Sequence, residues 1–298
     1  MILPAKINME ELKDYFANQK NISMAFIFGS FAKGQHLPDS DVDIAVYFNP
    51  QGRAVEWEEE TFYPEEDRIW RELENLLDRE VDLLVLNRAP STMASKIIKT
   101  GLPIFIKDRS FYWRFFLTVN SASADFKEFI QNYRRIRERS KSLNAEDKEQ
   151  LENLIDFLEE ELKSYGEFRG LNQTLYESDR GKKRNVEHWV EGIALCSIDI
   201  AEIVLASEKI RLPEKYKEIL KSLSLLKDFD KNTAERLGRL AGLRNMITHE
   251  YLDIRWRQIE EFIKTSQPLY EYLIAFVKKN FLRGKNNYGK LRRQTSAG

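Results

Sequence analysis

Phe28-Gly29-Ser30, ten further residues, then Asp41-Val42-Asp43-Ile44-Ala45-Val46 is the stretch on which the reading of this chain turns. An apolar run, Met24–Phe28, enters a tight Gly29-Ser30 turn, and Asp41 and Asp43 open a second run at alternating positions. Strand side chains alternate, so the two carboxylates share one face while Val42, Ile44 and Val46 turn to the core. Gly29 follows a strand where only a residue without Cβ lets backbone N–H groups come close to phosphates. A third acid, Asp82, opens the apolar run Val81–Leu86. Together the three suggest an oxygen cage for two hard cations, as metal-assisted attack on a nucleoside triphosphate requires. The plain alternative is a strand end with exposed aspartates.

Around this core the first hundred residues read as short strands, Met24–Phe28, Val42–Phe48, Val81–Leu86 and Pro103–Lys107, between helices Met9–Asn18, Glu65–Arg79 and Ser91–Thr100. Ile69, Trp70, Leu73, Leu76 and Leu77 fall on one face of the second helix. Residues 51–64, with Glu58-Glu59-Glu60, read as an exposed acidic loop or lid. Beyond Asp108 the pattern is helical: Phe111–Arg139, a polar break at Ser140–Glu146, then Asp147–Tyr165, Val186–Ser207, Glu214–Leu226, Ala234–His249 and Ile254–Phe281. A polar stretch, Tyr176–Arg184, separates two of these, and Asp253 is the expected cap of the last. The fold class expected is α+β: a small α/β domain over residues 1–142, an all-α bundle over 143–282 and a basic, disordered tail over 283–298.

Composition narrows the function classes. The 298 residues carry a net charge of −1, with 20 basic against 22 acidic residues up to 142 and 27 against 26 after it, so neither half is a basic nucleic-acid magnet. The single cysteine, Cys196, excludes an internal disulfide, fits a reducing compartment and reads as a buried core residue. No run reaches the roughly 18 apolar residues of a membrane span, and the first residues lack a signal-peptide core. A cytoplasmic, soluble protein with no membrane contact is expected.

Gly29-Ser30-Phe31-Ala32-Lys33-Gly34, followed by Pro38-Asp39-Ser40-Asp41-Val42-Asp43, resembles the minimal nucleotidyltransferases of the polymerase-beta-like superfamily over roughly residues 15–140. That resemblance implies ATP or another nucleoside triphosphate held by Gly29 and Ser30, and two Mg²⁺ ions bridged by Asp41 and Asp43. It also implies that Asp82 completes the metal site and helps deprotonate the attacking hydroxyl. Members commonly carry Arg where Phe31 stands, and Lys33 is the substitute cation here.

The second constellation is Arg244-Asn245-Met246-Ile247-Thr248-His249-Glu250-Tyr251. On a helix Asn245 and His249 are neighbours one turn apart. A titratable imidazole beside a guanidinium and a carboxamide can activate a ribose 2′-hydroxyl and stabilise a phosphorane without a metal; ordinary surface groups on a helix are the alternative. His36 and His188 are assigned structural or surface roles. Residues 145–282 resemble the HEPN helical domains, whose Arg-x4-His-x-Tyr pattern is met by Arg244, His249 and Tyr251. Such domains are often RNase toxins, paired with a minimal nucleotidyltransferase antitoxin that attaches AMP to the motif tyrosine. The resemblance therefore implies a toxin–antitoxin fusion: AMP transfer to Tyr251, RNA as the substrate of Arg244, Asn245 and His249, and a homodimer through the HEPN half. Two other classes compete. One is an aminoglycoside-type antibiotic nucleotidyltransferase, with the acidic 56–67 segment contributing a pocket for a polycation. The other is a non-catalytic binding module, motivated by the basic runs 134–141 and 180–184.

Overall fold

A computed structural model describes residues 7–37, 40–52, 55–139, 143–211, 213–249 and 256–282; of 216–217, 244–246 and 248–249 it describes the backbone alone. The chain divides into two compact units, Met1–Lys127 and Glu128–Gly298, with the dividing point inside one long helix.

The first unit runs α1 (Met9–Ala17), β1 (Ile22–Ile27), α2 (Gly29–Ala32), β2 (Val42–Phe48), α3 (Glu66–Leu77), β3 (Val81–Val85), α4 (Ser91–Thr100), β4 (Leu102–Ile106) and then α5 (Arg109–Glu138). The four strands form one mixed sheet in the order β3-β2-β1-β4. β1 pairs antiparallel with β2 and β4, whereas β2 and β3, joined through α3, run parallel. Both faces of the sheet are covered. Val42, Ile44, Val46 and Phe48 pack with Leu12 and Phe16 of α1 and Ile69 and Leu73 of α3. Ala45 and Tyr47 pack on the opposite side with Ala94 and Ile97 of α4 and Phe115, Val119 and Ala122 of α5. Each fully buried Val, Leu, Ile or Phe among these contributes about 1.5–3 kcal/mol. β2 is thus a central strand, apolar on both faces except at its first turn, where Asp43 is half-buried.

Two expectations for this unit are corrected. Trp70 does not share the buried face of α3; it is 43% exposed, with its indole N–H donating to the Val81 carbonyl at 2.7 Å. The segment expected to be a solvated acidic lid is instead folded inward: Val55, Glu56, Trp57 and Glu58 are all buried. The Glu56 carboxylate accepts from the N–H groups of Gln51 (2.6 Å) and Gly52 (2.7 Å), from the Tyr63 hydroxyl (2.9 Å) and from Asn87 Nδ2 (3.2 Å). A fully bonded carboxylate can be buried because its lone pairs are satisfied by protein donors. Glu56 is therefore an internal tie for a loop without secondary structure.

The second unit is helical from the last part of α5 onward: α6 (Ala145–Lys163), α7 (Tyr165–Phe168), α8 (Gln173–Ser178), α9 (Arg180–Ser207), α10 (Tyr216–Lys221), α11 (Lys231–His249), α12 (Trp256–Thr265) and α13 (Gln267–Val277). Asn144 and Asp147 form a capping box at the start of α6, and Asp147 also pairs with Arg139 at 2.7 Å. The Lys209 ammonium reaches the carbonyls of Arg137 and Arg139, placing a cation at the C-terminal end of α5. α9 begins earlier than its apolar periodicity implies, because the Asp179 carboxylate caps the N–H groups of Gly181 and Lys182 and so brings 180–184 into the helix. The last helix is two helices. Ser266 separates α12 from α13, its buried hydroxyl held by the Phe262 carbonyl and the Tyr165 hydroxyl, and Pro268 lacks the N–H that a continuous helix would need. Cys196 is buried, its thiol donating to the Leu154 carbonyl and pushed up to about 12 by burial. The tail, 283–298, and Asp253 lie outside the described residues. Among the described residues no helix is long and apolar enough to cross a membrane.

One buried group in this unit makes stability pH-dependent. Glu202 on α9 is 7% exposed and its Oε1 has no hydrogen-bond partner among the described residues. Burial, and then the charge of Asp199, raise its carboxyl to about 8, against a smaller pull from Arg135. The folded state holds the proton more tightly than the unfolded chain, so stability present in the acid range is lost as pH climbs from about 4.5 through 8. Glu202→Gln is expected to be more stable than the parent by about 2–4 kcal/mol at pH 9 and nearly equal to it at pH 4.5. Urea midpoints measured across that range check the difference.

Candidate functional site

The sheet brings the first constellation to one end. Asp43 and Asp82 are direct register partners on the parallel strands β2 and β3, so their side chains leave the same face on adjacent strands. Asp41 lies two residues before Asp43, at the entry to β2, with its side chain exposed. Asp82 is also exposed, since β3 is an edge strand.

The turn after β1 is locked to the same place. The Phe28 N–H donates to the Asp43 carbonyl at 2.9 Å. Gly29 has φ +65°, and a Cβ built on it would lie 2.0 Å from Asp43 Oδ2 and 2.6 Å from its carboxyl carbon. Only glycine fits against that carboxylate, on steric grounds as well as on backbone conformation. The Ser30 N–H, next in the chain, bonds the Asp43 carboxylate. Burial, then the charge of Asp82, raise the Asp43 carboxyl above the usual carboxylate range; Asp41 adds to this and the Ser30 N–H opposes it. Asp43, with the negative charges of Asp82 and Asp41 acting on it, sits in a negative pocket that a cation or a proton would balance.

The segment after the turn is tied down as well. Phe31 is buried, His36 stacks on its ring with centroids 4.1 Å apart, and the Arg79 guanidinium carbon lies 5.9 Å from the ring centroid. Arg79 comes from the turn between α3 and β3, where Asp78 is left-handed (φ 49°). The Val42 N–H donates to the Glu80 carbonyl at 2.9 Å, which brings the backbone around Arg79 beside Ser40 and Asp41. Leu37 and Ser40 close the loop by reciprocal bonds, Leu37 N–H to Ser40 Oγ at 2.9 Å and Ser40 N–H to the Leu37 carbonyl at 3.1 Å. Lys33 follows α2 with its side chain exposed.

The donors here are hard carboxylate oxygens whose repulsion a divalent cation would offset, so the residue types fit magnesium. Among the described residues, no three His, Cys, Asp or Glu side chains gather closely enough to hold one ion. Magnesium is commonly held by one or two carboxylates with phosphate oxygens and water completing its shell, rather than by a protein cage. Asp43 and Asp82, joined by Asp41, match that mode better than a preformed three-carboxylate cage.

The second constellation lies partly within the described residues. Arg244, Asn245 and His249 lie on α11, which is helical through His249, and among the described side chains there Ala241, Leu243 and Ile247 are buried. The side chains of Arg244, Asn245 and His249, and the whole of Tyr251, lie outside what is described. Trp256 opens α12 half-buried, with its ring 5.4 Å from that of Tyr176.

The family model described as polymerase beta, nucleotidyltransferase matches residues 10–110, and that described as ribonuclease HepT-like matches residues 129–279. A solved structure described as a toxin-antitoxin with AMP-PNP is 19% identical, covering 42% of this chain and 94% of its own, at a TM-score of 0.35. A mutant of the toxin-antitoxin MntA-HpeT is 18% identical, covering 42% of this chain and 93% of its own, at a TM-score of 0.34. No curated protein matches the chain.

Proposed function

Since the chain belongs to the ribonuclease HepT-like family and carries a polymerase-beta-type nucleotidyltransferase domain ahead of that region, we propose that it is a self-modifying toxin–antitoxin fusion. Its nucleotidyltransferase part, which we take as residues 1–142, transfers AMP from ATP to Tyr251 of its HEPN part, 143–282, in the same chain or a partner copy. The observation that carries this is the pairing of Asp43 with Asp82 beside Gly29 in a chain whose other half is HepT-like.

The step is an in-line displacement. The Tyr251 phenol oxygen bonds the α-phosphorus as the bond from that phosphorus to the bridging oxygen breaks, and pyrophosphate leaves with the electron pair. The phenol proton passes to Asp82. Gly29 and Ser30 hold the phosphates, with Lys33 as the cation of that turn, and Asp41, Asp43 and Asp82 are the residues that would hold Mg²⁺. When bound, two such ions offset charge on the entering and leaving oxygens. Gly29, pressed against the carboxylate of Asp43, keeps that group aimed along the turn.

In the HEPN part, Arg244, Asn245 and His249 are the RNA-cleaving groups. His249 moves the proton of a ribose 2′-hydroxyl and Arg244 stabilises the phosphorane, with no metal required. AMP on Tyr251, two residues from His249, adds a bulky anion where the RNA phosphate binds and repels it. A homodimer through this part supplies a second histidine, since one serves poorly as both acid and base. The reading places the protein in the cytoplasm. The competing antibiotic nucleotidyltransferase loses support, because Glu56 and Glu58 are buried instead of lining a polycation pocket.

Incubation with ATP and Mg²⁺, followed by peptide mass spectrometry, tests the proposal. A gain of one or more AMP units on Tyr251, absent in Tyr251→Phe, is expected. Modification confined to other residues, or transfer only to added kanamycin-like acceptors, overturns it.

A further inference from the structure

We infer that the cavity between the α7–α8 connection and helices α12 and α13 is a nucleobase-binding subsite of the RNA-cleaving centre, with Trp256 as the ring on which the base stacks. This rests on the ribonuclease reading of the helical part and adds a site that contains none of Arg244, Asn245, His249 or Tyr251. The cavity holds about 550 Å³, and Trp256, Leu171 and Ile263 give it an aromatic and apolar lining. Cavities of about 300–1,000 Å³ with apolar walls and a few placed polar groups are the usual form of small-ligand sites. Trp256 is a held wall: half-buried, its ring centroid 5.4 Å from that of Tyr176, whose hydroxyl in turn donates to Glu187 at 2.6 Å. Its place in the bundle ties it to the motif. Arg236, near the start of α11, donates to the Thr265 carbonyl at the end of α12 at 3.4 Å. The two helices therefore meet start to end, and Trp256, at the start of α12, belongs to the end of the pair where α11 finishes at His249.

The polar rim decides what kind of ligand fits. Arg169 donates to the Gln267 side chain at 2.8 Å, Gln267 donates to Glu271 at 2.9 Å, and Lys264 pairs with Glu260 at 2.7 Å. All five line the cavity, two cations matched by two carboxylates. Their charges are balanced by one another, so the cavity calls for a neutral group rather than a phosphate or a metal ion. The guanidinium and the ammonium carry further N–H donors, and each carboxylate carries a further acceptor oxygen. An aromatic wall beside such donors and acceptors is how proteins take up an unstacked base of single-stranded RNA: its face on a ring, its edge on polar groups. The cavity thus holds a base, and the phosphate chain that carries it runs on to Arg244 and His249.

The test is calorimetric titration of the full chain on a Tyr251→Phe background, so that no AMP stands at the motif. The probes are 2′-O-methyl octanucleotides of each base, which lack the hydroxyl that cleavage needs, and the abasic sugar–phosphate chain of the same length. The background chain is expected to hold at least one base-bearing octamer about tenfold more tightly than the abasic chain. Trp256→Ala should lose that preference while its abasic binding changes less than twofold, and Trp256→Phe should keep part of it. Leu171→Trp, which fills the cavity from another wall, should lose it as well; if Trp256→Ala does not fold, Leu171→Trp and Trp256→Phe carry the comparison. A preference retained by these cavity variants, or absent from the background chain, overturns the inference and leaves the ribonuclease reading standing. Equal weakening of base-bearing and abasic chains also overturns it, since that reports a lost phosphate contact or a disturbed fold. A background chain that binds no octamer and cuts no unmodified RNA overturns the ribonuclease reading and this inference with it.

Discussion

Asp43→Asn is expected to lower AMP transfer roughly a thousandfold or more while leaving the fold at least as stable as the parent. The two halves of that result have one cause. Asp43 is held between the Gly29 turn and Asp82, where burial and like charge disfavour its ionised form. An amide of the same shape removes that repulsion, so the thermal midpoint should stay level or rise. The same change removes the hard anionic oxygen nearest the phosphate turn, so transfer should fail. Because the folded-state carboxyl is raised, transfer by the parent should also fall as pH drops into the acid range, where Asp43 takes up a proton and ceases to be an anionic ligand. Radiolabel incorporation from α-labelled ATP, with unfolding curves on the same samples, measures both. A stable Asp43→Asn chain that transfers AMP at the parent rate would remove Asp43 from the chemistry.

The second large effect is on stability. Glu56→Ala is expected to destabilise the first unit by about 3–5 kcal/mol, a fall of roughly 10–20 °C in thermal midpoint. Four donors converge on that carboxylate: two backbone N–H groups, the Tyr63 hydroxyl and the Asn87 amide. Asn87 in turn brackets the backbone of Phe48 at the end of β2 through bonds of 2.9 and 3.1 Å. Truncation strands the buried Tyr63 and Asn87 donors, frees the Gln51 and Gly52 N–H groups to solvent at the loop's exposed edge, and loosens the loop against the sheet. Glu56→Gln should lose less, because it keeps one oxygen acceptor. Thermal unfolding followed by far-UV circular dichroism checks the order. A loss below about 1 kcal/mol for Glu56→Ala would mean that water replaces the carboxylate and that the segment is the solvated lid its composition suggests.

What could be read from residues alone was whatever periodicity and turn chemistry control. The strand runs are found within two residues of their expected ends, and Ser91–Thr100 is found at its expected bounds. The Gly29 turn and the spacing to Asp41 and Asp43 were readable because a steric demand for glycine and a strand alternation leave direct marks in sequence. The register pairing of Asp43 with Asp82 needed the parallel β2–β3 contact, which no local pattern specifies. Glu56 was misread because a run of acids looks solvated; its burial depends on Tyr63 and Asn87, distant partners that make no periodic signal. The break at Ser266 was missed because apolar spacing runs on through it, although Pro268 marks it.

The measurement that bears most directly on the central claim is a crystal structure of the chain with Mg²⁺ and an ATP analogue carrying a methylene between its α- and β-phosphates. The account predicts the triphosphate along Gly29 and Ser30, with Mg²⁺ within about 2.0–2.1 Å of Asp43 and Asp82 oxygens. Nucleotide bound elsewhere, or bound at the turn with the cation away from both aspartates, would contradict it.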